Sequence, residues 1–144
     1  MSFTVSEMSI DDYDQVFELW QSSPAIVLSK VDSRECVEKL LNRNTGLSFV
    51  AKDSGNCIGA VLCSQDGRMG YLSHLVVRND RRREGIGRQL VGRCMYALTG
   101  MGIHNCILLV MEETPEALNF WRNIDPAGRV NLVMMGPRER VNVT

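Results

Sequence analysis

The residues best suited to chemistry stand close together in the run Arg81-Arg82-Arg83-Glu84-Gly85-Ile86-Gly87-Arg88. A β-forming run, Tyr71 to Val77, precedes them. Ile86, Leu90, Val91, Cys94, Met95 and Leu98 then recur with a helical period. A strand, a glycine loop and a helix N-terminus in that order make an anion site. The first amides of a helix have no intrahelical partner, and the macrodipole adds partial positive charge where they point. Glycines let a phosphate approach bare backbone. Arg81, Arg82, Arg83 and Arg88 bring full charges to the same place, so a diphosphate is the natural guest.

The type of diphosphate follows from what is missing. A nucleotide P-loop needs Gly-Lys-Ser/Thr, and here Gly87 is followed by Arg88-Gln89. The dinucleotide fingerprint needs a third glycine where Leu90 stands. What remains is Arg82-x-x-Gly85-x-Gly87 after a strand ending in Val77. This resembles the acyl-CoA pyrophosphate loop of the GNAT superfamily of N-acyltransferases, Gln/Arg-x-x-Gly-x-Gly/Ala. A strand-ending Leu-Val-Val and an Ala-x-x-Phe-Trp at 117–121 resemble small bacterial members.

The resemblance implies acetyl-CoA as co-substrate and a primary amine, on a small molecule or a protein, as acceptor. The backbone of Leu75, Val76 and Val77 would pair with the pantetheine arm. The segment Arg82, Arg83, Glu84, Gly85, Ile86, Gly87 and Arg88 would hold the pyrophosphate. Thr114 falls where many members carry a cofactor-contacting Asn, and Trp121 where many carry the Tyr that protonates the leaving thiolate. An indole N–H donates a hydrogen bond but is no acid. The reaction implied is direct attack of a neutral amine on the thioester. An alkylammonium must first lose a proton, with a pKa of about 10.4, so a base is useful. At the family's positions for it stand Tyr71, Ser73, His74, Glu112 and Glu113. His74 suits neutral-pH proton transfer. Regular alternation places it on the face of Leu72 and Val76, opposite Tyr71, Ser73 and Leu75, unless a bulge intervenes. A hydrogen-bonded structural histidine is the competing reading. A catalytically weak acyl-CoA-binding module is the alternative to the enzyme.

Several elements must position these residues. Phe3 to Met8 alternates like a strand. Ser9 caps a helix that carries Tyr13, Val16, Phe17 and Trp20 in one stripe and ends at Ser22-Ser23-Pro24. Residues 25–31 are irregular. Asp32 or Ser33 starts a second helix, stopped by Asn44-Thr45-Gly46. Leu47–Lys52, Cys57–Ser64 and Tyr71–Val77 are strands joined by tight turns, the second at Gln65-Asp66-Gly67-Arg68. Gly100 is expected to close the helix that begins at the glycine loop. Cys106–Met111 is a strand buried on both faces, 115–123 a short helix and Val130–Met135 a last strand. The order β-α-α-β-β-β-α-β-α-β is that of the GNAT fold, an α/β (α+β) fold whose mixed, mostly antiparallel sheet is flanked by helices. In that fold the strand matching 106–111 splays from the strand matching 71–77.

Composition supports a single globular domain over the 144 residues, with 44% hydrophobic and 23% charged residues. A net charge of −1, with no aromatic residues among the arginines, argues against nucleic acid. No apolar run reaches a membrane span and no signal-peptide core is seen, so no membrane partner is expected. Five cysteines without metal spacing read as reduced core thiols, which implies a cytoplasmic protein with no metal site. One strand after Gly128, where the family has a longer hairpin, leaves a sheet edge that a homodimer would cover.

Overall fold

The computed structural model describes residues 2–110, 119, 121–123 and 130–134. Its sheet has six strands in sequential order. They are β1 (Thr4–Glu7), β2 (Phe49–Asp53), β3 (Asn56–Gln65), β4 (Gly70–Val77), β5 (Cys106–Val110) and β6 (Val130–Met134). The β1–β2, β2–β3 and β3–β4 pairs are antiparallel, whereas the β4–β5 and β5–β6 pairs are parallel. The helices are α1 (Tyr13–Ser22), α2 (Arg34–Arg43) and α3 (Ile86–Gly100). Of the short helix expected at 115–123, residues 119 and 121–123 are helical and the rest lie outside the described residues.

Helix α3 covers one face of the sheet. Ile86, Leu90, Val91, Cys94, Met95 and Leu98 are buried against Phe49, Ile58, Val61, Leu72 and Val77. Each fully buried aliphatic side chain contributes about 1.5–3 kcal/mol, so this stripe seats the helix on the strands without help from its caps. Tyr13, Val16, Leu19 and Trp20 of α1 and Val37 of α2 cover the other face, against Val50, Ala60, Leu62 and Val76. Strand β3 serves both layers, which is why Ile58 to Cys63 is an unbroken run of buried residues.

The helix ends follow from local chemistry. Ser9 N–H donates to Asp12 Oδ2 at 2.9 Å ahead of α1, and Ser33 Oγ accepts from Cys36 N–H at 3.2 Å at the start of α2. The α3 C-terminus corrects the expectation for Gly100, which is still helical. The left-handed residue is Gly102, at φ +80°. Its N–H donates to Thr99 O, and Ile103 N–H reaches back to Leu98 O, so the last turn satisfies its own carbonyls. Open space surrounds the position where a Cβ would be added at Gly102. Gly102→Ala is therefore expected to cost only the left-handed penalty, about 1–2 kcal/mol, as a lower urea midpoint with an unchanged slope.

Candidate functional site

Gly85 is the N-cap of α3, at φ +80°, and no side chain caps that end. The first helical bond is Gln89 N–H to Gly85 O at 3.1 Å, so the amides of Ile86, Gly87 and Arg88 precede the ladder. The first turn of α3 holds no acidic residue, whereas Asp11, Asp12 and Glu35 occupy the corresponding turns before α1 and at α2. An anion supplied from outside would complete this end as those carboxylates complete the others.

The arginine run divides by role. Arg82 and Arg83 are exposed, and Arg83 sits at φ +69° in the loop. Arg81 is buried, against the expectation that it adds free charge for a phosphate. Its Nη1 lies 2.6 Å from Asp53 Oδ2, and its Nε and Nη2 donate to the two oxygens of Glu84 at 2.7 and 3.0 Å. A short helical turn, Asn79–Arg81, aims the side chain inward. Arg81 therefore clamps the loop to the β2–β3 turn, and Glu84 is its counter-ion rather than a free ligand group. The guanidinium holds the Asp53 and Glu84 carboxyls below their usual range. Carboxylates with depressed pKa stabilise the fold above their unfolded values, about pH 4, and lose that contribution as pH falls through the folded ones. Arg81→Ala is expected to lower the melting temperature at pH 7, and the deficit should shrink progressively as pH falls below about 4 toward the depressed folded values, in a calorimetric pH series. Arg88 Nη2 donates to the backbone carbonyl of Asn123, which ties the helix start to residues 121–123.

Strand β4 leads into this loop and carries a bulge that corrects its expected parity. Ala60 pairs with Val76 but Leu62 pairs with Ser73, so Val61 faces an extra residue. His74 is at φ +51° there, a left-handed conformation that costs about 1–2 kcal/mol outside glycine. The faces then shift. Leu72, Leu75 and Val77 all pack toward α3, although alternation separates Leu72 from the other two, while Val76 packs toward α1. His74 lies on the α1 side, its ring 5.0 Å from that of Trp20 and its Nε2 2.7 Å from Asp32 Oδ1.

The same strand loses its partner halfway along. Pairing between β4 and β5 covers Gly70–Cys106, Tyr71–Ile107 and Leu72–Leu108, then stops while β4 continues to Val77. Among the described residues β4 has no β5 partner from Ser73 onward, and this edge ends at the glycine loop. An extended amide-bearing chain of a ligand could pair with that edge, with its anionic end on the α3 amides.

Residues 13–124 match the sequence profile of the acetyltransferase (GNAT) family. The chain belongs to that family. It is 31% identical over 83 residues to N-alpha-acetyltransferase 30 of Xenopus laevis, a match covering 54% of this chain and 30% of that protein's length. The PaiA N-acetyltransferase of Thermoplasma acidophilum, solved in complex with coenzyme A, superposes with a TM-score of 0.73 at 19% identity, over 85% of this chain and 88% of that one. The ribosomal-protein-S18-alanine N-acetyltransferase of Escherichia coli does so at 0.69 and 18%, over 85% and 76%. The expected GNAT fold is thus the one observed.

The other GNAT candidate residues are distributed unevenly. Tyr71 lies in the paired part of β4, and its hydroxyl donates to Asp66 Oδ2 at 2.7 Å in the hairpin turn. That bond, with the Met69 and Arg68 amides on the same carboxylate, holds Asp66 down at about 2, and it raises the phenol's pKa. Tyr71 is thereby a poor proton acceptor. Ser73 is half-buried beside the bulge. Glu112, Glu113 and Thr114 lie outside the described residues. Trp121 is buried in the apolar layer that also holds the α3 stripe. Four of the five cysteines are buried. Burial pushes the Cys57 thiol up to about 11, and Cys94 is raised as well, which leaves both unsuited to act as thiolate nucleophiles. Among the described residues no group of His, Cys, Asp or Glu is placed to hold a metal, and no helix is long and apolar enough to cross a membrane.

Sequence reasoning missed Asp32 as a site residue. It was legible only as a helix-start signal, because its partner His74 is 42 residues away along the chain.

Proposed function

We propose that this chain transfers an acetyl group from acetyl-CoA to a primary amine by direct attack in a ternary complex. One observation carries the reading: among the described residues the β4 edge beyond Leu72 has no β5 partner, and it leads to a helix N-terminus built on Gly85 and Gly87 with no side-chain cap. Backbone groups of Leu75, Val76 and Val77 would take the pantetheine amides, and the amides of Ile86, Gly87 and Arg88 the pyrophosphate. Exposed Arg82 and Arg83 add screened attraction. Attack forms the C–N bond and breaks the C–S bond. Counted from its ammonium form the acceptor gives up two protons, one to a base or solvent before attack and one that ends on the leaving thiol. The names of the N-alpha-acetyltransferase 30 and S18-alanine relatives favour the α-amino group of a polypeptide as the first acceptor to try.

A second reading, coenzyme A binding without turnover, is favoured by Trp121, which is buried in the core where many members place an acidic hydroxyl. Mixing the protein with acetyl-CoA and a panel of peptides, lysine analogues, polyamines and aminoglycosides separates the two. Catalytic release of thiol with any amine supports the transferase. Saturable coenzyme A binding with no release from any member of the panel overturns it in favour of the binding module.

A further inference from the structure

We propose that His74 and Asp32 form an imidazole–carboxylate pair in which His74 Nδ1 accepts the proton of the incoming amine and Asp32 positions the ring. The proposal deepens the acetyltransferase reading above and rests on it.

The geometry fixes which nitrogen is available. Asp32 Oδ1 lies 2.7 Å from His74 Nε2, and Asp32 Oδ2 accepts the Ser29 N–H at 2.9 Å. An ionised carboxylate offers acceptors only, so with Asp32 as the carboxylate the hydrogen of this contact is carried by Nε2. That tautomer leaves a lone pair on Nδ1, which bonds to none of the described residues. Asp32 is itself anchored, since the Tyr13 hydroxyl donates to its backbone carbonyl at 2.6 Å. The two side chains also differ in access. Asp32 keeps 5% of its side-chain surface exposed and His74 22%, so contact with a substrate falls to the imidazole.

Placement in the fold is the second argument. His74 occupies the bulge, in a left-handed conformation, just beyond the last β4–β5 pair. Backbone strain held in place by its surroundings is a feature of functional sites, and here the surroundings are specific. Trp20 of α1 meets the ring edge-on at 5.0 Å. Other charged or titratable groups near the pair are Tyr13 of α1, Lys30 on the same short turn as Asp32, and Arg34 of α2. The Arg34 guanidinium lies 5.9 Å over the Tyr13 ring and pairs with Asp14. From β3 the opposing residues Ala60, Val61 and Leu62 are apolar. Asp32 is thus the group in direct hydrogen-bonded contact with the imidazole.

The step balances simply. An ammonium transfers one proton to Nδ1, and the freed lone pair attacks the thioester carbonyl. The C–N bond forms, and the C–S electron pair leaves with sulfur. The second N–H proton then passes from the new amide nitrogen to the thiolate through water, and His74 returns its proton to solvent.

The test is the pH dependence of kcat/KM between pH 6 and 10, with an amine that the panel identifies. His74→Gln is expected to lower kcat/KM by about 100-fold or more at pH 7. The deficit should shrink to within about fivefold once pH reaches the acceptor's own pKa, about 8 for an α-amino group and about 10.4 for an alkylamine, because the amine then deprotonates itself. Calorimetric coenzyme A affinity should stay at the wild-type value. Asp32→Asn should give a smaller loss, about tenfold, with the same convergence. A purely structural pair would instead produce a deficit that is constant across pH, and that result, or wild-type kinetics in both variants, overturns the proposal. Should His74→Gln not fold, Asp32→Asn and the 15N imidazole spectrum of the wild type decide. The spectrum is expected to show hydrogen on Nε2 and a bare Nδ1, and hydrogen on Nδ1 in the neutral ring overturns the assignment at any activity. Wild-type protein that binds coenzyme A but acetylates no amine defeats the transferase reading itself. That result is distinct from active wild type with a pH-independent His74→Gln deficit.

Discussion

Gly87→Val is expected to abolish coenzyme A binding, measured by titration calorimetry, in a protein that still folds. Gly87 is buried in the first turn of α3, among the amides that precede the helical ladder. A branched side chain there is expected to crowd a phosphate away from those amides, a steric loss that added charge nearby should not restore. The fold should tolerate the change. Valine and glycine are both poorer helix formers than alanine by less than about 1 kcal/mol, so propensity hardly decides the matter. Overpacking at a buried position adds about 1–3 kcal/mol, within the stability of an ordinary domain of about 5–15 kcal/mol.

Gly85 should behave differently, because its requirement is conformational. It sits at φ +80°, yet a Cβ there meets nothing within 4 Å. Gly85→Ala should weaken binding partially, and Gly85→Asn less still, since asparagine tolerates the left-handed region. Arg83→Ala should cost only a few-fold in affinity, because its exposed charge is screened by salt. Wild-type affinity in Gly87→Val would show that the loop is a plain connector. The transferase reading would then lose its main support.

How far the sequence revealed this site depended on the range of the interactions. The glycine loop, the strand before it and the helix after it were legible because each is a local device. Period, turn residues and helix-start chemistry all operate within a few residues of one another. The bulge at His74 was not legible. Its cause lies in pairing with β3, where Val61 stands opposite two residues, His74 and Leu75, and alternation within β4 carries no trace of that. The Asp32–His74 contact joins the 3-10 turn Lys30–Asp32 to β4, so neither segment announces the other. The arginine run misled for a related reason. Three consecutive arginines look equivalent, and only the short turn at Asn79–Arg81 sends the first of them inward to Asp53 and Glu84. Gly100 and Gly102 both suited a helix end, and the later one carries the positive φ because α3 continues through Gly100.

Trp20→Ala is expected to be among the most destabilising substitutions in the chain, at about 3–5 kcal/mol in urea unfolding. Trp20 is fully buried and anchors the α1 layer. It meets Tyr13 and Phe17 edge-on, at 6.3 Å each, as well as His74. Its indole Nε1 is buried and has no hydrogen-bond partner among the described residues. An unsatisfied buried donor costs about 1–3 kcal/mol, so the native tryptophan carries a penalty that phenylalanine would not. Trp20→Phe removes that donor while keeping an aromatic ring, and the two effects oppose each other. Its net cost should fall well below that of alanine, at about 1 kcal/mol or less. The two variants should also separate in catalysis. Alanine leaves the His74 ring unsupported, so the orientation set by Asp32 should loosen and kcat should fall, whereas phenylalanine keeps the edge contact and most of the rate. Equal destabilisation by both substitutions would mean that the indole N–H is satisfied, by water or by a bound partner. The packing contribution of Trp20 to the His74 site would then have to be separated from that of its hydrogen bond.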